Sequence, residues 1–361
     1  MTFLDKQYWA RYAFATIMIL IAGTFGNKIK EYLDTDFTRS DFKLIRNYLL
    51  NDDEFFASSK PPLWIHTTYS RNSRQWESFG SRASYDLNQP YLHFTIKSLI
   101  MENSDDFNIC LIDDDSFARL LPNDWNNIDM ENAAEPFKNH YRQMGFLKLI
   151  HTYGGIVVPN SFLCMRNLSV LYQQQQKGKP FVAEFFNKGG AGRISASTGE
   201  TNSMFGMELA PDVRFIGARG KNDPVIKELI DEAEMLHSSG QFTSEKQFFG
   251  GLSRFCVRAI KNRQMKLLGA ENVGVISAEK KLLLLDNWMT DDYVHLIPDV
   301  LGIWIDSDEI LKRPKYQWFA VLPVQEIVNE GTYALSKWFI WVADKMQNKC
   351  VNDACTVTTT M

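Results

Sequence analysis

Residues 145–168 read Gly-Phe-Leu-Lys-Leu-Ile-His-Thr-Tyr-Gly-Gly-Ile-Val-Val-Pro-Asn-Ser-Phe-Leu-Cys-Met-Arg-Asn-Leu, and no other stretch limits the fold as strongly. The pattern predicts a helix ending at Tyr153, a Gly154-Gly155 turn and a short buried strand. Similar units lie on either side. Leu63-Trp64-Ile65-His66, behind Pro61-Pro62, predicts a first core strand, and Phe107 to Ile112 a second that runs into Asp113-Asp114-Asp115. Helices are expected over Tyr91–Met101, capped near Asn88 or Gln89, and over Pro136–Thr152 and Asp223–His237. Strands are expected at Ile156–Val158, Phe181–Phe186 and Val213–Ala218. Strands alternating with helices predict an α/β fold with a mainly parallel sheet flanked by helices.

The 361-residue chain is long enough for one large α/β domain or two small ones. A net charge of −4, with no basic block, gives no pull toward nucleic acid. None of the five cysteines forms a CxxC, and no Cys/His set has zinc spacing. Cys110 and Cys164 fall in apolar runs as expected buried thiols; Cys350 and Cys355 would pair only in an oxidising compartment.

The N-terminus carries a different signal. Tyr12 to Phe25 is uncharged, with Tyr8, Trp9 and Arg11 before it and Lys28 and Lys30 after. The run is shorter than the ~20 residues of a comfortable bilayer span, and Tyr8 and Trp9 extend it as interfacial anchors. The expected partner is a lipid membrane, engaged through residues 8–27, with an uncleaved single-pass anchor in a type II arrangement. The expected layout is an anchor at 1–30, a stalk at 31–60 with a short helix over 39–51, a main domain at 61–325, and an apolar helix with a polar tail at 326–361. That helix, expected over 325–348, either docks on the domain or meets a membrane or partner. Residues 187–206, rich in Gly, Ser and Thr, predict a loop beside the site.

With these elements in order, residues 61–255 resemble the DXD-type glycosyltransferases of the capsular-polysaccharide and mannosyltransferase kind. The resemblance rests on Pro62-Leu63-Trp64-Ile65-His66, Leu111-Ile112-Asp113-Asp114-Asp115, Arg142 in the following helix and Tyr153-Gly154-Gly155-Ile156. It implies a GT-A, Rossmann-type fold and a nucleotide-sugar site at His66, Asp113, Asp115, Arg142, Gly154 and Gly155. The family's metal-binding pair falls at Pro159 and Ser161, neither of which is anionic. A hard divalent cation is held on carboxylate oxygens, so a degenerate, catalytically inactive domain is expected, with no cofactor. Manganese or magnesium enters only if the chain is active, through Asp113 and Asp115, while Arg142, Arg166, Lys188 and Arg193 are the cations that could replace it.

The block Trp64-Ile65-His66, Asn72, Trp76, Phe79 to Arg82 and Leu87 to Tyr91 is also similar to membrane-anchored, glycosyltransferase-like proteins of large DNA viruses. That likeness implies a minor capsid or virion-membrane component with other structural proteins of an assembly as partners. The alternative is a working glycosyltransferase in an ER/Golgi-type lumen. Asp306-Ser307-Asp308 follows Gly302-Ile303-Trp304-Ile305 and copies a strand-then-DxD form, but its late position makes it a strand-end turn. His66, His93, His140 and His151 read singly as structural, and Asn167-Leu168-Ser169 is a formal glycosylation sequon.

Overall fold

The structure, a computed structural model, describes residues 59–67, 89–125, 128–130, 132–173, 178–187, 209–238 and 245–357. All belong to one compact unit. The expected anchor and stalk helix, the Asn72–Leu87 part of the viral-like block, Lys188, Arg193 and the loop over 188–206 lie outside the described residues. Among the described residues, no helix is long and apolar enough to cross a membrane.

The strands are β1 (Pro62–His66), β2 (Asn108–Ile112), β3 (Gly155–Val157), β4 (Phe162–Cys164), β5 (Phe181–Phe186), β6 (Leu209–Ala218), β7 (Lys266–Leu268) and β8 (Gly302–Trp304). The helices are α1 (Tyr91–Asn103), α2 (Asp114–Leu120), α3 (Pro122–Trp125), α4 (Glu135–Tyr153), α5 (Ser169–Gln173), α6 (Pro224–Ser238) and α7 (Glu245–Lys261). They continue with α8 (Leu285–Trp288), α9 (Ser307–Lys312), α10 (Gln317–Ala320), α11 (Val324–Glu330) and α12 (Ala334–Val357).

The central sheet has the order β2-β1-β3-β6-β5-β7. β1 pairs parallel with β2 and β3, and β5 parallel with β7. β6 runs antiparallel to both β3 and β5. The fold is therefore mixed α/β with a mostly parallel sheet flanked by helices, as the alternation of elements predicts. The reversed β6 is longer than expected, beginning at Leu209. β4 and β8 form a separate antiparallel pair.

Two apolar cores flank this framework. In the first, α4, α6 and α7 bury Leu147, Leu229 and Leu252 with the sheet residues Trp64, Val157 and Ile216. In the second, Phe94 of α1 stacks on Phe339 of α12 with ring centroids 5.1 Å apart, alongside Leu163, Ile303 and Phe319. Burying such side chains contributes roughly 1.5–3 kcal/mol each.

Three local expectations change. Helix α1 is preceded by Pro90 in helical conformation, and no side chain caps it. The stretch 325–348 is two helices: they part at Gly331, where an added Cβ would lie 2.2 Å from Ser336 Cβ, so the turn admits no larger residue. The second docks on the domain through buried Leu335, Phe339, Val342 and Met346 and continues past Lys349 to Val357.

Candidate functional site

Helix α4 ends where Gly154 takes φ 76°, and Gly155 follows at φ 104°. An added Cβ on Gly155 would sit 2.3 Å from the Pro62 carbonyl oxygen, so only glycine lets β3 lie this close to β1. Trp64 Nε1 donates to the Gly154 carbonyl at 3.0 Å, and the Tyr153 hydroxyl donates to the Leu120 carbonyl at 2.9 Å. Tyr153, Gly154 and Gly155 therefore hold backbone together, and none of them is among the residues that line the cleft described next.

Beyond the carboxyl ends of β1 and β3 lies a cleft of about 250 Å³. This is where open α/β sheets place their ligands. It is lined by His66, Arg142, Phe146 and Val158, by the turn residues Pro159, Asn160 and Ser161, and by Arg214, Glu245, Phe249, Trp304, Asp306 and Asp308. An adjoining chamber of about 100 Å³ shares Arg214, Glu245, Phe249 and Asp308.

The sequence triplet Asp113-Asp114-Asp115 divides its roles. Asp113 caps α2, accepting from the Ser116 backbone amide at 3.0 Å and its hydroxyl at 2.6 Å. Asp115 is exposed in the first turn of α2. Neither is among the residues of the cleft. Asp114, the residue passed over between them, joins His66 to Arg142. It accepts from Arg142 Nε at 2.8 Å and Nη2 at 2.7 Å, and its Oδ1 lies 2.9 Å from His66 Nε2. Burial raises the Asp114 pKa, but hydrogen bonds and charge from Arg142 and His66 outweigh it and hold the carboxyl well below the usual range.

The Pro159–Ser161 turn is held by its neighbours. The Thr95 hydroxyl donates to the Asn160 carbonyl at 2.5 Å, and Phe162 N donates to the Pro159 carbonyl at 3.0 Å. The Ser161 hydroxyl donates to the Ile305 carbonyl at 2.8 Å, and Ile305 N donates back to the Ser161 carbonyl at 3.2 Å. These bonds extend the β4–β8 ladder and set Asp306-Ser307-Asp308 beside the turn. The late triplet expected only to end a strand thus lines the cleft as well as opening α9, where Asp306 accepts from Glu309 N at 3.2 Å.

Arg214, on β6, faces those acids. Its Nε and Nη2 reach Asp212 at 3.0 and 2.6 Å, and its Nη1 reaches Asp308 at 3.4 Å. Nothing in the motif order marked it, although an arginine between Val213 and Phe215 in an apolar strand was a visible anomaly. Of the other expected cations, Arg142 lines the cleft, while Arg166 binds Asp299 at 3.2 Å and the Pro298 carbonyl at a half-exposed position away from it.

A divalent cation fits these residues poorly. Pro159 and Ser161 supply no anionic oxygen, Asp306 caps a helix, and Asp308 already faces a guanidinium. Among the described residues, no three His, Cys, Asp or Glu side chains are grouped to hold a metal.

The cysteine expectation stands in the structure: Cys110, Cys164 and Cys256 are buried free thiols, and burial pushes Cys164 up to about 12. The sequon asparagine is engaged, its amide nitrogen donating to the Glu102 carbonyl at 2.8 Å and to Asp106 Oδ2 at 2.6 Å.

No family model matches this chain, and no curated protein matches it. Among solved structures, it is weakly similar to PaToxG glycosyltransferase, at 12% identity and a TM-score of 0.36, over 65% of this chain and 81% of that one.

Proposed function

We propose that residues 61–325 form a GT-A-like domain that keeps the cleft of a glycosyltransferase without its metal-dependent chemistry. In this reading the protein is membrane-anchored and binds rather than transfers. The observation that carries it is the Pro159–Ser161 turn, whose backbone carbonyls and Ser161 hydroxyl are bonded to Thr95, Phe162 and Ile305.

Charge supports the same reading. Arg142 and Arg214 line the cleft with Glu245, Asp306 and Asp308, and each arginine is already paired, with Asp114 and Asp212. A sugar nucleotide's diphosphate brings about two negative charges and would meet more carboxylate than unpaired cation. A neutral, hydroxyl-rich glycan suits the site better. Its hydroxyls can donate to the acids and exchange hydrogen bonds with Asn139 and Gln143, and its apolar faces can lie against Phe249.

The test sets glycan binding against turnover. The purified domain is titrated with neutral oligosaccharides and incubated with sugar nucleotides, with and without manganese. Binding of a neutral glycan without hydrolysis or transfer is the expected result. Sustained turnover overturns it.

The setting proposed is a virus-encoded minor capsid or virion-membrane protein, held to lipid through residues 8–27 and to other structural proteins of the assembly. Its support is the uncharged Tyr12–Phe25 run and the viral-like block around Trp64 and Tyr91. A fixed ratio of this chain to the major shell protein in purified particles is the expected finding, and absence from particles rejects the setting.

A second reading, an active nucleotide-sugar-dependent glycosyltransferase, is favoured by one observation: two arginines line the cleft, and cations can stabilise a leaving diphosphate. It requires metal-independent turnover that Arg142→Ala or Arg214→Ala abolishes.

A further inference from the structure

Charge is divided unevenly between the two chambers. In the larger cleft both arginines are paired, with Asp114 and Asp212, and Glu245, Asp306 and Asp308 add carboxylates. The adjoining chamber of about 100 Å³ brings in two lysines, Lys246 from the first turn of α7 and Lys312 from the last turn of α9. Of the acids that line it, Asp212 and Asp308 are held by Arg214, at 2.6 and 3.4 Å. Glu245 is the third, set against two exposed ammonium groups, neither of which has a partner among the described residues. Helix α7 joins the chambers. Glu245, Phe249 and Ser253 follow one another at intervals of four residues and so share one face. Glu245 and Phe249 line both chambers, Ser253 the smaller one. Ser253 is 6% exposed, and its hydroxyl has no hydrogen-bond partner among the described residues. A hydroxyl buried in that state destabilises the empty protein, and an acceptor oxygen that reaches it relieves the cost.

We infer that the smaller chamber takes the sulfate group of a glycan whose uncharged sugar unit lies in the larger cleft. Two ammonium groups against the Glu245 carboxylate leave an excess of positive charge, which the single negative charge of a sulfate ester meets. The ester's free oxygens accept hydrogen bonds and donate none, so they suit Lys246, Lys312 and Ser253. Phe249, common to both chambers, offers its ring to the apolar face of the sugar between them. The inference depends on the glycan-binding reading of the larger cleft and adds to it the class of glycan.

Two measurements on the full-length protein test it. In the first, lactose, maltose and cellobiose are each titrated beside their monosulfated counterparts at low salt. The sulfated sugars are expected to bind about five- to tenfold more tightly, by a margin that shrinks as salt is added. A Lys246→Met, Lys312→Met double variant is expected to bring each sulfated sugar down to the affinity of its neutral counterpart. Both lysines are exposed, so the variant keeps the core intact, and far-UV circular dichroism checks that it folds. Equal binding of neutral and sulfated sugars overturns the inference and leaves glycan binding standing, and so does a margin that the double variant retains. The second measurement needs no sugar. Inorganic sulfate is expected to slow acetylation of Lys246 and Lys312 by acetic anhydride at least about twofold relative to exposed Lys227, read by peptide mass spectrometry. Protection by sulfate without binding of any sugar rejects the glycan reading and keeps the anion site. Absence of both rejects both.

Discussion

The Ser161 hydroxyl donates to the carbonyl of Ile305 at 2.8 Å, across 144 positions of sequence. That bond places Asp306 and Asp308 beside the turn where the family resemblance leads one to seek acids and finds Pro159 and Ser161. The cleft has carboxylates after all, supplied from a different part of the chain and already paired with Arg214 and a helix end.

Asp114 bridges His66 and Arg142 at a part-buried position. Asp114→Ala leaves the Arg142 guanidinium without its main acceptor and is expected to cost about 2–4 kcal/mol in urea unfolding. Because its folded pKa lies below the unfolded value, the bridge's stabilisation is complete above the ordinary carboxylate range. It is lost as pH falls through the lower folded value. A variant as stable as the wild type at neutral pH rejects the bridge as a structural element.

Gly155 needs both its positive φ and its missing side chain. Gly155→Ala is expected to destabilise by about 3 kcal/mol or more, since backbone strain and a clash with Pro62 act together. A small shift in the thermal midpoint would show that β1 and β3 can separate cheaply.

His140 is fully buried, stacked on Phe248 with centroids 4.0 Å apart, and neither ring nitrogen has a hydrogen-bond partner among the described residues. Burial, with a smaller contribution from His237, lowers its pKa from 6.5 to about 4. The unfolded chain therefore takes up the proton first as pH falls. Stability is unaffected above pH 6.5 and declines from there toward pH 4, by an amount on the order of 1–3 kcal/mol. His140→Phe is expected to flatten that decline in denaturant midpoints measured across the window. An unchanged slope assigns the acid sensitivity elsewhere.

Asn167 matches a sequon, yet its amide nitrogen is the atom bonded to Glu102 and Asp106. A glycan on that nitrogen leaves a single N–H and so removes at least one of the two bonds. Expressed through a secretory route, the protein is expected to carry no sugar at Asn167, as read by peptide mass spectrometry. Full occupancy there would mean this corner forms only after modification.

Sequence patterns located most strands and long helices because each is set by its own residues: the apolar run at Leu63–Ile65, the Tyr153-Gly154-Gly155 stop, the periodic face of α6. What they missed depends on partners far along the chain. The direction of β6 is fixed by pairing with β3 and β5, which no local pattern encodes. Within Asp113-Asp114-Asp115 the three acids look alike; only the start of α2 decides that the first caps, the second turns inward and the third faces water. The DxD form at 306–308 was visible and was discounted for its position, since the β4–β8 pairing that relocates it is invisible without coordinates.

The β4–β8 ribbon also dictates when this cavity can come into being during synthesis. A nascent chain has β1, α4 and β3 early, but the acidic rim waits for residues near 305 to clear the ribosome and travel back to Ser161. Any fragment stopped ahead of β8 therefore has half a pocket, its Arg214 paired with Asp212 but lacking Asp308 and Trp304.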